Sequence, residues 1–281
     1  MNDRPPVDVV IIGAPRSGTS TIARWMGSHP DAYLPPRKEV SYFDLHYDKG
    51  REWYDSMFAP GGDDAVRVDA TPAYLYLDRA LDRLEKDAPH AQLIVILREP
   101  VDRAWSHYWY NHGLGIDART FERALASELR DPSNAPRGLP IGYLACSRYA
   151  VRLERYMVRF PRDQLLVLFY DDLRSDPQGT WEKLCNHAGL RVTELPDDGH
   201  AFEAAHPPRL PWLQYVMLHL QAGRLPFRIG YKLQKLNSKP ESYAPMPGDL
   251  RKRVQAALAG ETESLDRLLP GLVPATWPRN V

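Results

Sequence analysis

The stretch GAPRSGTST, residues 13–21, concentrates glycine, arginine and hydroxyl side chains in one short turn. An apolar run precedes it and a helical pattern follows, which is the plan of a phosphate-binding loop. A strand-to-helix turn aims several backbone N–H groups at one point, and the helix dipole adds positive potential there. Gly13 and Gly18 let the backbone bend and approach a ligand closely. Arg16 brings a permanent charge shaped for phosphate or sulfonate oxygens. Pro15, Arg16, Ser17, Gly18, Thr19, Ser20 and Thr21 are therefore candidate contacts to an oxyanion. The plain alternative is a structural corner capped by Ser17 or Thr19. A Walker loop places lysine directly after its second glycine, and here Thr19 stands there instead.

A second cation and hydroxyl fall at the same sheet edge. In LREPVDRAWSHY, residues 97–108, Arg98 ends an apolar run and Pro100 suits the first turn of a helix. Ser106 then lies about two turns into that helix, and no metal-binding aspartate follows the run. A second phosphate site without metal is the inference. Taken alone, Arg98 equally suits an ion pair with Glu99 or Asp102.

The elements that must position these groups are legible as alternating patterns. Apolar runs at 7–13, 92–98 and 164–170 are rich in Val, Ile and Leu without strict alternation, as in parallel strands buried on both faces. A shorter run at 65–70 suggests another strand. Helical patterns cover 19–28, 49–58, 74–87, 101–111, 120–129 and 147–160. Alternating strands and helices predict an α/β, P-loop-like fold: a central, mostly parallel sheet flanked by helices. Ligands in such sheets sit at the carboxyl ends of the strands. One domain over 1–281 is expected, with a core at 7–190 and a helical or irregular carboxyl-terminal segment at 191–281.

Lys+Arg and Asp+Glu are both 36, so no bulk charge points to nucleic acid. Hydrophobic residues at 43% and charged residues at 26% suit a soluble globular chain. The two cysteines, Cys146 and Cys185, make neither a disulfide framework nor a metal site. The first residues lack the pattern of a signal peptide, so a cytoplasmic enzyme is expected.

Four segments occur together in order: APRSGTS, SHPDAYLPPRKEVSYFD, VDATPAYL and LREPVDRAWSHYWY. In this the chain resembles the sulfotransferases that use 3′-phosphoadenosine 5′-phosphosulfate (PAPS), and is most similar to the heparan-sulfate and bacterial carbohydrate-type branch. With the following strand, the resemblance spans roughly residues 7–173. It implies that the opening loop binds the 5′-phosphosulfate, that Arg98 and Ser106 bind the 3′-phosphate, and that Tyr149 lies on the adenosine side. It implies Glu39, in KEVSYFD, as the general base, and no metal. Arg16 stands where that branch carries a lysine at the leaving oxygen. Ser41 replaces a usual histidine and Ala70 a usual lysine, leaving Asp44, Asp69 and His107 as helpers without an assigned role. The plain alternative for Glu39 is a solvated carboxylate paired with Lys38 or Arg37.

Ser41, Tyr42, Asp44, Asp69 and Tyr74 are the acceptor-side candidates, whereas Phe43 and Trp53 read as core. Ser238 and Lys239 fall where glycan-type enzymes carry a basic loop over the donor phosphates. From Arg209 to Lys239 there are six Lys or Arg and no acidic residue, around an apolar stretch too short to span a bilayer. A core helix with a basic edge is one reading of 209–239. The other is a lid over a hydrophobic acceptor, or a peripheral contact to an anionic membrane. The expected acceptor is a hydroxylated small molecule, glycan or glycolipid. A nucleotide kinase of the adenylylsulfate or nucleoside type is the competing enzyme class, and a non-catalytic nucleotide-binding scaffold the competing non-enzyme.

Overall fold

The structure is a computed structural model that describes residues 4–131, 142–197, 209–210, 213, 216, 237 and 243–279. Five strands are present: β1 (Val9–Gly13), β2 (Ala32–Tyr33), β3 (Val66–Ala70), β4 (Gln92–Leu97) and β5 (Leu165–Phe169). The helices begin with α1 (Thr19–Ser28), α2 (Gly50–Ser56), α3 (Asp78–Asp87), α4 (Pro100–Leu114) and α5 (Phe121–Arg130). They continue with α6 (Ala150–Arg159), α7 (Tyr170–Ser175), α8 (Pro177–His187), α9 (Gly248–Ala257) and α10 (Glu261–Leu268). The chain divides into two compact units, one of Met1–Arg98, Tyr149–Phe202 and Thr262–Pro278, the other of Glu99–Arg148, Glu203–Glu261 and Arg279–Val281.

The first unit holds the sheet, in the order β2-β3-β1-β4-β5. Every pairing is parallel, as the apolar runs predict. All of β1 is buried, as are Leu93 to Leu97 of β4, so these strands are covered on both faces. On one face Ile22 and Trp25 of α1 pack with Trp181 and Leu184 of α8 over Val9, Ile11, Ile94 and Ile96. Because β1 is central, the turn that follows it lies at the middle of the sheet's carboxyl edge.

Several boundaries depart from the sequence patterns for local reasons. Residues 72–76 form a 3₁₀ turn started by Pro72, and extended Leu77 separates it from α3, which begins only at Asp78. The carboxyl-terminal segment, expected to be helical or irregular, holds two helices, α9 and α10, parted by Gly260 at φ +80°. The helix α8, absent from the patterns above, starts at Pro177 behind Asp176, whose side chain accepts from the Gly179 N–H at 2.9 Å. β2 is only two residues long, below any periodicity.

In the second unit, Val101, Trp105 and Tyr108 of α4 pack with Phe121 and Leu125 of α5 and Leu250 and Val254 of α9. Glu99 caps α4 by accepting from the N–H groups of Val101 (3.0 Å) and Asp102 (2.8 Å). Arg251 of α9 donates to Glu99 (3.1 Å) and Asp102 (2.6 Å) and ties α9 to this first turn. Buried Arg103 donates to Ser147 Oγ at 2.8 Å and to the Tyr143 carbonyl.

The first unit also anchors the segment after Glu39, through a buried carboxylate near the end of β3. Asp69 Oδ2 accepts from the hydroxyls of Tyr54 (2.9 Å) and Tyr74 (3.1 Å), and Oδ1 from Thr71 (2.7 Å). Thr71 Oγ1 in turn accepts from the Ser41 N–H (3.3 Å), and the Tyr74 hydroxyl from the Phe43 N–H (3.2 Å). Ser41 is held at φ +57°, a left-handed conformation that is costly for a residue with a Cβ. Arg83 clamps the same segment by donating to the carbonyls of Phe43 (2.9 Å) and Asp44 (3.1 Å).

Burial raises the Asp69 pKa from 3.8 to about 6, against the hydrogen bonds that favour its charge. Between those values the folded state binds a proton that the unfolded chain releases. The stability from this group is therefore full below the unfolded pKa and is lost as pH rises through about 6. The loss is about 3 kcal/mol. In urea titrations, Asp69→Asn should gain about that much on the native protein between about pH 4 and about pH 7. A stability difference that does not change with pH would contradict it. A second expectation concerns Gly18, at φ +104°, where an added Cβ would meet Leu173 Cδ2 at 2.7 Å. Gly18→Ala should lower stability by roughly 1–3 kcal/mol in the same titrations.

Candidate active site

The opening loop leaves β1 and enters α1 with several of its N–H donors unspent among the described residues. Arg16 adopts φ +70° and Gly18 φ +104°, both left-handed, on either side of Ser17. Such alternation turns successive N–H groups into one concavity. Gly18 is the N-cap residue of α1, and among the described residues no side chain caps the helix. Among the described residues the N–H groups of Gly18, Thr19 and Ser20 serve no backbone acceptor, because the first bonds of the turn run from Thr21 and Ile22 to the Gly18 carbonyl. The Ser17 hydroxyl is fully buried and has no hydrogen-bond partner among the described residues. A buried orphan donor beside an uncapped helix start fits a bound oxyanion. A structural corner capped by Ser17 or Thr19 is not what forms.

The loop's side chains divide by exposure. Pro15, Arg16 and Gly18 are half-buried and Ser20 is exposed, whereas Thr19 and Thr21 are buried. Gly13 is closed off: a Cβ there would meet Leu75 at 2.9 Å, so glycine is needed for packing against the 72–76 turn.

Glu39 is well exposed and stands beside the loop through its neighbour. Lys38 Nζ donates to Ser20 Oγ at 2.9 Å and lies 3.9 Å from Glu39 Oε1. Burial lowers the Lys38 pKa, opposed by the Glu39 charge and assisted by the charges of Arg16 and Arg24. Sequence reasoning saw Lys38 only as a counter-ion for Glu39. Its reach to the loop is a tertiary contact that no local pattern announces.

Arg98 directly follows β4, with its guanidinium over the Tyr170 ring at 4.8 Å and Nη1 a long 3.5 Å from the Arg16 carbonyl. No carboxylate pairs with Arg98 among the described residues, and the side chains of Glu99 and Asp102 are engaged by Arg251. Tyr149, expected on the adenosine side, is buried and donates to the Arg98 carbonyl at 2.9 Å, so it fixes the strand end that carries Arg98.

The acceptor-side candidates are mostly interior. Asp69 and Tyr74 are fully buried, and burial, with the Asp69 charge next, holds the Tyr54 and Tyr74 hydroxyls protonated. Tyr42 is buried and stacked on Tyr54 at 4.2 Å. In these positions Asp69, Tyr74 and Tyr42 support the 41–45 segment rather than line an open wall. Asp44 Oδ1 accepts from the Leu45 N–H (2.8 Å), and the Ser41 carbonyl accepts from Leu45 (3.0 Å) and His46 (2.9 Å), closing a compact turn after Glu39.

In the second unit, Ser106 is buried on α4. His107 Nδ1 lies 3.0 Å from Arg103 Nη1, and since a guanidinium only donates, this nitrogen accepts. The expectations for Lys239 and for most of 209–239 fall outside the described residues. Among the described residues no helix is long and apolar enough to cross a membrane.

Comparison with known proteins agrees with this arrangement. Residues 6–204 match the family model described as a sulfotransferase domain. The human heparan sulfate glucosamine 3-O-sulfotransferase 3B1 is 31% identical over 186 residues, covering 65% of this chain and 46% of that protein. The mouse bifunctional heparan sulfate N-deacetylase/N-sulfotransferase 1 is 28% identical over 234 residues, covering 76% of this chain and 25% of that protein. The chain thus spans less than half the length of these curated relatives. A solved sulfotransferase from Alicyclobacillus acidocaldarius shares the fold, with a TM-score of 0.69 at 22% identity, covering 99% of this chain and 97% of that one. With a matched segment that runs from ahead of β1 past α8, the chain belongs to the sulfotransferase family.

Proposed function

We propose that this chain transfers the sulfo group of PAPS to a hydroxyl of a small-molecule, glycan or glycolipid acceptor, with Glu39 as the general base. The observation that carries this reading is the exposed Glu39 carboxylate next to Lys38, which is itself bonded to Ser20 at the mouth of an unspent oxyanion loop. The donor supplies a sulfonate on a phosphate leaving group: the acceptor oxygen–sulfur bond forms as the sulfur–phosphate oxygen bond breaks, the electron pair leaving on the phosphate.

The chain's own groups have distinct duties. The N–H groups of Gly18, Thr19 and Ser20 and the Ser17 hydroxyl hold the 5′ side of the donor, and Arg16 adds charge. Arg98, without a carboxylate partner among the described residues, holds the second phosphate. Glu39 takes the acceptor proton, and its exposure leaves it open to an acceptor arriving from solvent. The names of the heparan sulfate relatives favour a sugar hydroxyl as the acceptor.

Purified protein should move labelled sulfate from PAPS to an acceptor drawn from a hydroxylated panel, read as an added sulfo group by mass spectrometry. Phosphate transfer from ATP in its place would overturn the reading. Pairs of soluble sugars and their lipid-bearing analogues belong in that panel, and equal turnover of each pair would exclude a lipid-selective acceptor site. Glu39→Gln should lower kcat by about 10²–10⁴-fold. Its affinity for the product 3′-phosphoadenosine 5′-phosphate (PAP), measured by calorimetry, should stay close to that of the native protein. A variant with native kcat would remove Glu39 from the role of base.

A further inference from the structure

We propose that Lys38 is a further donor-contacting residue, whose ammonium binds the 5′-phosphate oxygens at the bond that breaks. The inference rests on the donor reading above, and its ground is the placement of Lys38. Residues 38 and 39 lie in the stretch between β2 and α2, remote in sequence from the opening loop, yet Lys38 Nζ reaches Ser20 Oγ at 2.9 Å. Ser20 is the exposed hydroxyl of that loop, on the first turn of α1, where N–H groups are unspent.

An ammonium has three donors, and Ser20 accepts one of them. Glu39, at 3.9 Å, is beyond hydrogen-bond distance, and an exposed pair at that separation contributes little. Lys38 is half-buried, and the charges of Arg16 and Arg24 act on it unfavourably. Lys38 thus lies within the positive field of Arg16 and Arg24 beside the start of α1, and an anion held by the loop would relieve that repulsion. Lys38 points its ammonium to where the loop would hold that anion.

Its chemistry also differs from that of Arg16. A guanidinium is broad and planar, whereas an ammonium is a compact charge that meets a single oxygen from any direction. Lys38 therefore supplies a point charge that the turn's own arginine does not.

The test measures PAP binding by titration calorimetry at low and high salt, for the native protein, Lys38→Met and Lys38→Arg. Lys38→Met should weaken PAP roughly 10- to 100-fold and flatten its salt dependence. Lys38→Arg should recover part of the affinity. In parallel, PAP should shield Lys38 of the native protein from acetylation, read by mass spectrometry. Thermal midpoints near native for both variants exclude a folding defect, and the acetylation arm needs no variant. Native-like PAP affinity in Lys38→Met, or acetylation of Lys38 unchanged by PAP, overturns the proposal while leaving the donor reading intact. Failure of the native protein to bind PAP sinks both.

Discussion

Three hydroxyls, rather than a cation, surround the buried carboxylate of Asp69, and the candidate site depends on that arrangement. Burying a carboxylate is unfavourable, and its raised pKa is the trace of that cost. The network does local work in return. Thr71 and Tyr74 each use one oxygen twice, donating to Asp69 and accepting from the backbone of Ser41 or Phe43. Removing the carboxylate would free those hydroxyls to turn, and the left-handed backbone at Ser41 would lose what fixes it. The segment that begins at Glu39 thus inherits its position from the end of β3, although no residue of β3 touches Glu39 in any contact described above.

The loop after β1 shows the opposite economy. Several of its N–H donors are left open, and the buried Ser17 hydroxyl has no partner among the described residues. A native interior seldom leaves such a group unpaired. Open donors, left-handed backbone at Arg16 and Gly18, and positive charge from Arg16, Arg24 and Lys38 are each unfavourable or neutral for folding. Together they make sense as preorganisation toward an anion.

Much of this was legible in the sequence, and the parts that were not share a physical cause. The Val/Ile/Leu runs of β1, β4 and β5 announce buried parallel strands, and α1 spans the residues its pattern indicates. The Asp-Pro start of α8 is equally legible, as an N-cap and a first-turn proline. The 3₁₀ turn at 72–76 was not readable, because Tyr74 and Tyr76 fit a helical pattern as well as they fit a turn buried against β1. Asp69 stood out as an acid without a duty. Its partners Tyr54 and Tyr74 come from separate segments, and only the packing unites them. Tyr42 and Tyr74 looked like an acceptor wall because aromatic residues serve both core and ligand. Burial is what separates the two uses, and a sequence does not state it.

One consequence follows from Lys38 and Glu39 being adjacent. Lys38 turns toward the loop while Glu39 stays exposed, so under the proposed roles one short peptide would carry a group for the donor and a group for the acceptor. Asp69 and Arg83 hold the residues just after that peptide, and Ser20 holds Lys38 itself. Under those roles, loosening the anchors at 41–44 would shift the proposed base and cation together, whereas a change within the opening loop alone would act on the proposed donor side first. Proximity of two groups across a reacting bond is worth most when both ride on one rigid support. The segment from Lys38 to Asp44 has that character because Thr71, Tyr74 and Arg83 hold its backbone through hydrogen bonds.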